Sequence, residues 1–196
     1  MNRRRVTWIG AAALVVAIVI GLAGRATFHE DTAPAENAAP AVGGPFTLID
    51  HHGKQVTDAD YRGKWLLVFF GYTFCPDVCP TTLQMVSQAL DLMGDKAARI
   101  QPLFITVDPE RDTPEVLAEY VSHFHPSMLG LTGSAAQIAA VAKGYRVYYA
   151  KSGDGADYLM DHTSLVYVIG PDGKYVAYFP YDADPADVAA ALAKLI

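Results

Sequence analysis

Cysteine is almost absent from this chain: two in 196 residues, Cys75 and Cys79, both inside "GYTFCPDVCP". A bridge between residues so close would close a tiny loop and stabilise little, which argues against a disulfide-built scaffold. Basic residues are also scarce beyond the N-terminus. Arg3, Arg4, Arg5 and Arg25 precede the first acidic residue, Glu30. Setting those four aside leaves 11 basic against 21 acidic residues, a net of −10. Such a body repels phosphate backbones, and no basic stripe offers a footprint, so nucleic acid is not an expected partner. No internal repeat is present.

Charge is missing altogether from Val6 to Gly24, "VTWIGAAALVVAIVIGLAG". A helix over those residues would be about 28 Å long, enough for a hydrocarbon core of roughly 30 Å. Transit peptides scatter Arg along an amphipathic helix, whereas here the Arg cluster comes first and the run is uniformly apolar. A signal peptide would have a shorter apolar core and a small-residue cleavage site, and Gly24-Arg25-Ala26 is a poor one. The reading is a retained anchor over 6–24 behind a cytoplasmic N-terminus, 1–5. The Arg cluster keeps that end inside and sends the rest across the membrane, in a bacterium into the periplasm. Residues 25–44, rich in Ala, Pro and small polar residues, read as a flexible tether. The folded domain is expected over 45–196.

What is present in that domain is a run of alternating elements. "PFTLID" and "KQVTDADYRGKW" form a short strand pair turned at "HHGK". "WLLVFFGY" and "IQPLFITVD" are continuous apolar runs, the mark of strands buried on both faces. Between them, Leu83, Val86, Leu90 and Met93 recur at helical spacing up to Gly94. Thr113 and Pro114 predict an N-cap and first helical position. "LGLTG" predicts a short strand, "SAAQIAAVAKGY" a helix and "YRVYYA" an extended piece. "TSLVYVIGPDGKYVAYF" reads as a hairpin, and "DPADVAAALAKLI" as a closing helix. The order implies an α/β, thioredoxin-like fold: a mixed sheet flanked by helices, with an N-terminal strand pair and an inserted helix.

The cysteines then fall where a buried strand hands over to a helix, the usual place for ligand sites in open sheets. A helix N-terminus favours thiolate, the form that binds metal. On a regular helical turn Cys75 and Cys79 would stand at i and i+4, with Cβ atoms ~5–6 Å apart. A disulfide wants ~3.8 Å, so spacing leans toward a shared metal, although a loosened turn still allows oxidation. A third ligand must come from six histidines. His29 lies in the tether, His51 and His52 in a turn, and His123 and His125 at a helix end, all read as surface or capping positions. His162, in "YLMDHTSLVYV", precedes the strand expected to pair antiparallel with Trp65–Phe70, which brings it beside Cys75. Two thiolates and an imidazole suit Cu(I), with zinc as the physical competitor. Asp108 should look onto the same sheet edge or start a turn; Asp77 either caps the helix or favours a cation; Asp161 should point away.

With those residues in place, "GYTFCPDVCPTTL", "PLFITVDPERDTPE", "LTGS" and "DYLMDHTSLVYVIGPDG" together resemble the Sco/SenC family of membrane-anchored copper chaperones. The resemblance covers roughly Pro45 to Ile196. It implies a thioredoxin-like domain binding copper, as Cu(I) with Cu(II) as a further state, through Cys75, Cys79 and His162. It implies delivery of copper to the binuclear copper site of cytochrome c oxidase, or reduction of that site's cysteines. Partners would then be the copper-site oxidase subunit, a copper donor, a thiol reductant and the inner membrane. Phe74 stands where a common family variant has His, at a position that is not a family ligand. Three rivals remain: a thiol–disulfide reductase, a thiol peroxidase suggested by Thr73 ahead of Cys75, and a purely structural interaction module. Thioredoxin-type exchange prefers Cys-x-x-Cys, which counts against the first.

Overall fold

The computed structural model describes residues 42–155 and 157–196. The expected anchor, and His29, lie outside the described residues. Among the described residues no helix is long and apolar enough to cross a membrane.

The two uninterrupted apolar runs become the central strands β3 (Trp65–Gly71) and β4 (Ile100–Thr106). They pair in parallel from Trp65↔Ile100 to Gly71↔Thr106, and all of β4 is buried. Strand β5 (Leu129–Thr132) continues the parallel set beside β4. On the other side β8 (Leu165–Ile169) runs antiparallel to β3, with Phe69 opposite Val166, as expected. Strand β9 (Tyr175–Pro180) returns from the Pro171-Asp172-Gly173 turn. The N-terminal pair, β1 (Thr47–Asp50) and β2 (Gln55–Thr57), extends the sheet antiparallel from β5. The order is β2-β1-β5-β4-β3-β8-β9, a mixed sheet of seven strands.

Four helices cover it: α1 (Val78–Met93), α2 (Pro114–Val121), α3 (Ala135–Tyr145) and α4 (Pro185–Leu195). Helices α1 and α4 pack on each other, α2 on β5 and α3 on β1. Thr113 caps α2 by accepting from Val116 N–H with Pro114 behind it, as the sequence predicts. Val42 packs against the core and Gly43 N–H bonds the Gly144 carbonyl at 2.9 Å, so contacts reach into the stretch read as tether.

One expected extended piece stands apart from the sheet. "YRVYYA" does not join the main sheet: β6 (Tyr149–Ser152) pairs antiparallel with β7 (Leu159–His162) as a separate two-stranded ribbon. Their half-exposed patterns lack the continuous apolar signature of a core strand, which is why the partner was not legible. Arg146, in the left-handed region at φ 56°, turns the chain out of α3 toward this ribbon.

Candidate metal centre

Cys79 is positioned by the first turn of α1 and by a glycine. The residue is fully buried, with its sulfur close over Gly71 at the end of β3. A Cβ at Gly71 would meet that sulfur at 2.7 Å and the Phe104 and Phe69 rings at 2.8 and 3.0 Å. The thiol can lie there only because the strand ends on a residue without a side chain.

Cys75 is positioned by a loop. Its N–H donates to the Tyr72 carbonyl at 3.3 Å. Thr73 is tied to the fully buried Asp112, which accepts its N–H at 3.1 Å and its hydroxyl at 2.6 Å. The same carboxylate accepts the Thr106 hydroxyl at 2.6 Å, joining the cysteine loop to the end of β4. Sequence reasoning missed Asp112. The Thr73 hydroxyl is used by Asp112, which removes the feature that suggested a peroxidase.

The helical premise for the cysteine pair needs correcting. Helix α1 starts at Val78, so Cys75 lies before it and the two residues do not share a regular turn. Instead Cys75 Sγ accepts the Cys79 N–H at 3.4 Å, acting on a helix-terminal donor that would otherwise lack a partner. Asp77 precedes the helix, yet its side chain makes no capping bond. Both thiols are free.

His162 arrives on the ribbon, at the end of β7, opposite Tyr149. Its ring meets Phe69 and Tyr72 edge-on, with centroids 5.9 Å away in both cases. Nδ1 lies 3.2 Å from the Thr163 carbonyl and Nε2 lies 3.4 Å from Cys79 Sγ. A carbonyl only accepts, so Nδ1 carries the proton there and the Nε2 lone pair faces the sulfur. The ligand atoms of Cys75, Cys79 and His162 all fall within 4.8 Å of one another. Among the described residues no other group of His, Cys, Asp or Glu gathers three ligand atoms in this way.

The electrostatics separate the two sulfurs. A hydrogen bond from the Cys79 side chain outweighs burial and, with the N–H groups of Asp77 and Cys79, pulls the Cys75 thiol down to about 3. The bond to Cys75, then burial, pushes the Cys79 thiol strongly up. The shared bond thus favours the thiolate on half-buried Cys75 and the thiol on buried Cys79. Soft sulfur donors with one imidazole match Cu(I), whereas zinc would lack its fourth protein ligand.

The remaining candidates fall elsewhere. Asp108 starts the turn considered for it, its carbonyl accepting the Arg111 and Asp112 N–H groups, while its buried carboxylate takes the Tyr158 hydroxyl at 2.6 Å and Arg111 Nε at 2.5 Å and bonds none of the three candidate ligands. Asp161 is exposed on β7. His51 is not simply solvated: its Nδ1 accepts the Gly130 N–H at 3.1 Å and burial lowers its pKa. His52 and His123 are exposed, and His125 is engaged with Ser127.

The SCO1/SenC family profile matches residues 34–196. "Protein SCO1 homolog, mitochondrial" of Homo sapiens is 45% identical over 158 residues, 79% of this chain, which spans only 52% of that protein's length. The copper-bound structure of Bradyrhizobium japonicum ScoI is 48% identical and superposes with a TM-score of 0.75, covering 80% of this chain and all of that one. BsSco, described as a member of the Sco family of cytochrome c oxidase assembly proteins with a disulfide switch, is 25% identical at a TM-score of 0.65, covering 79% of this chain and 92% of its own. These likenesses share one α/β, thioredoxin-like fold, a mixed sheet flanked by helices. The profile and relatives of this identity leave one assignment: the chain belongs to the SCO1/SenC family.

Proposed function

We propose that this chain carries one copper ion between Cys75 Sγ, Cys79 Sγ and His162 Nε2 and serves as a copper chaperone in cytochrome c oxidase assembly. It passes copper to the oxidase's binuclear copper site or keeps that site's cysteines reduced. The observation that carries this reading is the gathering of two sulfurs and one imidazole within 4.8 Å. Copper bound to the Bradyrhizobium japonicum relative supports it. Cys75 is ready as a thiolate, and the proton on Cys79 must leave as copper enters. The ring nitrogen bonded to the Thr163 carbonyl keeps the other nitrogen aimed at the site.

On the same reading residues 1–5 stay cytoplasmic, 6–24 cross the inner membrane, 25–44 tether, and 45–196 work in the periplasm. Arg3 to Arg5 ahead of an uncharged run support that orientation. C-terminal reporter fusions check it: activity of a reporter that works only in the cytoplasm would overturn it. A second reading, a thiol–disulfide reductase, is favoured by the half-exposed Cys75 thiolate beside a second thiol.

Anaerobic loading of the reduced full chain, followed by elemental analysis, tests the copper assignment. One copper per chain is expected, and none in the Cys75→Ala, Cys79→Ala double variant. Stoichiometric copper in that variant would overturn the site. Oxidising the pair should remove copper affinity until a reductant is supplied, since only thiolates bind. Equal affinity in both states would show that the cysteines are not the switch.

A further inference from the structure

The ribbon that carries His162 has no strand pairing with the seven-stranded sheet. A cleft of about 330 Å³ opens between it and the segment following β4, lined by Asp108, Glu110, Tyr149, Lys151, Tyr158 and Met160. One side chain bridges that cleft in force. Tyr158, just ahead of β7 and 7% exposed, gives its hydroxyl to Asp108 Oδ1 at 2.6 Å. The other oxygen of Asp108 takes Arg111 Nε at 2.5 Å. The Arg111 guanidinium then lies 3.7 Å from the centre of the Tyr158 ring, closing a three-membered cycle. The Lys151 ammonium lies over the same ring at 3.6 Å, so the negative ring faces attract positive charge from the body and from within the ribbon.

Arg111 does not serve the ribbon alone. The Phe74 ring, 60% exposed and directly before Cys75, is centred 4.7 Å from its guanidinium. Tyr72, three residues before Cys75, is centred 5.9 Å away. One cation therefore touches the loop that sets Cys75 and the ribbon that sets His162. The bonds that join Asp108, Arg111 and Tyr158 to one another involve no ligand atom of the site, so their effect is on position.

We propose that Asp108, Arg111 and Tyr158 form a latch that holds the ribbon against the cysteine loop, placing His162 where it meets the two sulfurs. They are positioning residues, and the inference rests on the copper reading above for its consequence but not for its mechanics. With the latch open, the sulfurs stay in place on the cysteine loop and α1 while the imidazole drifts.

Tyr158→Phe is the test, because it keeps the ring and removes only the hydroxyl that Asp108 accepts. It is compared in the full chain with the unaltered protein, His162→Ala and the double variant. In metal-free protein, backbone amides of residues 149–152 and 159–162 should exchange at least tenfold faster in Tyr158→Phe, with those of β3 and β4 unchanged. Unchanged exchange in the ribbon overturns the latch, whatever happens with copper. In the Cu(I)-loaded protein, release to a chelator should be roughly tenfold faster, the order expected for a hydrogen bond to a charged group. In the His162→Ala background the same substitution should add nothing, since its effect runs through the imidazole. An equal acceleration in both backgrounds would mean general destabilisation and would overturn the proposal. Failure of the unaltered chain to take up copper would instead sink the copper reading, leaving the exchange result to decide the latch. Arg111→Lys, which keeps the charge but loses the planar fork, should loosen the ribbon in the same direction.

Discussion

The seven-stranded sheet and the two-stranded ribbon solve the same problem, placing a ligand, with opposite means. Strands β3 and β4 have neighbours on both edges and are buried along nearly their whole length. Among the described residues, strands β6 and β7, four residues each, pair only with each other and leave Leu159 46% exposed. A two-stranded hairpin is marginal in water by itself, so the ribbon keeps its place through side chains. The sulfurs of the candidate site belong to the stiff region and the imidazole to the soft one. On the proposed copper reading, stiffness would preserve a pocket for the sulfurs, and softness would let the imidazole yield when cargo is passed on.

The sharpest way to break this contrast is Phe104→Ala. The ring is fully buried and stacks with Phe69, so about 3–5 kcal/mol of stability should be lost in denaturant unfolding. A loss under 1 kcal/mol would contradict the stiff role of the sheet. Gly71→Ala comes next: its methyl group would press on Cys79 Sγ and two aromatic rings, costing about 1–3 kcal/mol and displacing the sulfur. Copper affinity should fall with stability, and native affinity in that variant would show that Cys79 does not need the glycine.

Protonation sharpens the comparison within the site. The Cys79 thiol is raised, so it keeps its proton through the neutral range and copper must displace it. Cys75, lowered to about 3, has no proton to give above about pH 5. Apparent copper affinity should therefore rise about tenfold per pH unit from 7 to 8, a one-proton slope. Competition titrations at fixed ionic strength give that slope, and a slope of two would mean Cys75 also starts protonated. In the metal-free protein the alkylation rate of Cys75 should be flat from pH 6 to 8, whereas an ordinary thiol would accelerate with pH. The smallest effect belongs to the ribbon surface: Leu159→Ala should change stability by no more than about 0.5 kcal/mol.

Most of the sheet was legible because apolar runs such as Trp65–Gly71 and Ile100–Thr106 carry their burial in their composition. The caps at Thr113 and Pro114 were legible for an equally local reason. The ribbon was not, because pairing between Tyr149 and His162 spans a loop and leaves no periodic trace in either strand. Nor were the roles of Asp112 and Arg111, each defined by partners tens of residues away.

By itself the amino-acid sequence determined the inventory of this protein: two sulfurs beyond the end of a buried strand, a late histidine, and elements whose order admits few topologies. Those are properties of near neighbours and of patterns with a fixed period. Tertiary structure alone decided that Cys75 stands outside the helix, that Gly71 makes room for Cys79, and that His162 rides on a ribbon held by Tyr158 and Arg111. Each of these depends on atoms brought together from distant segments, and local propensity carries no information about such distances.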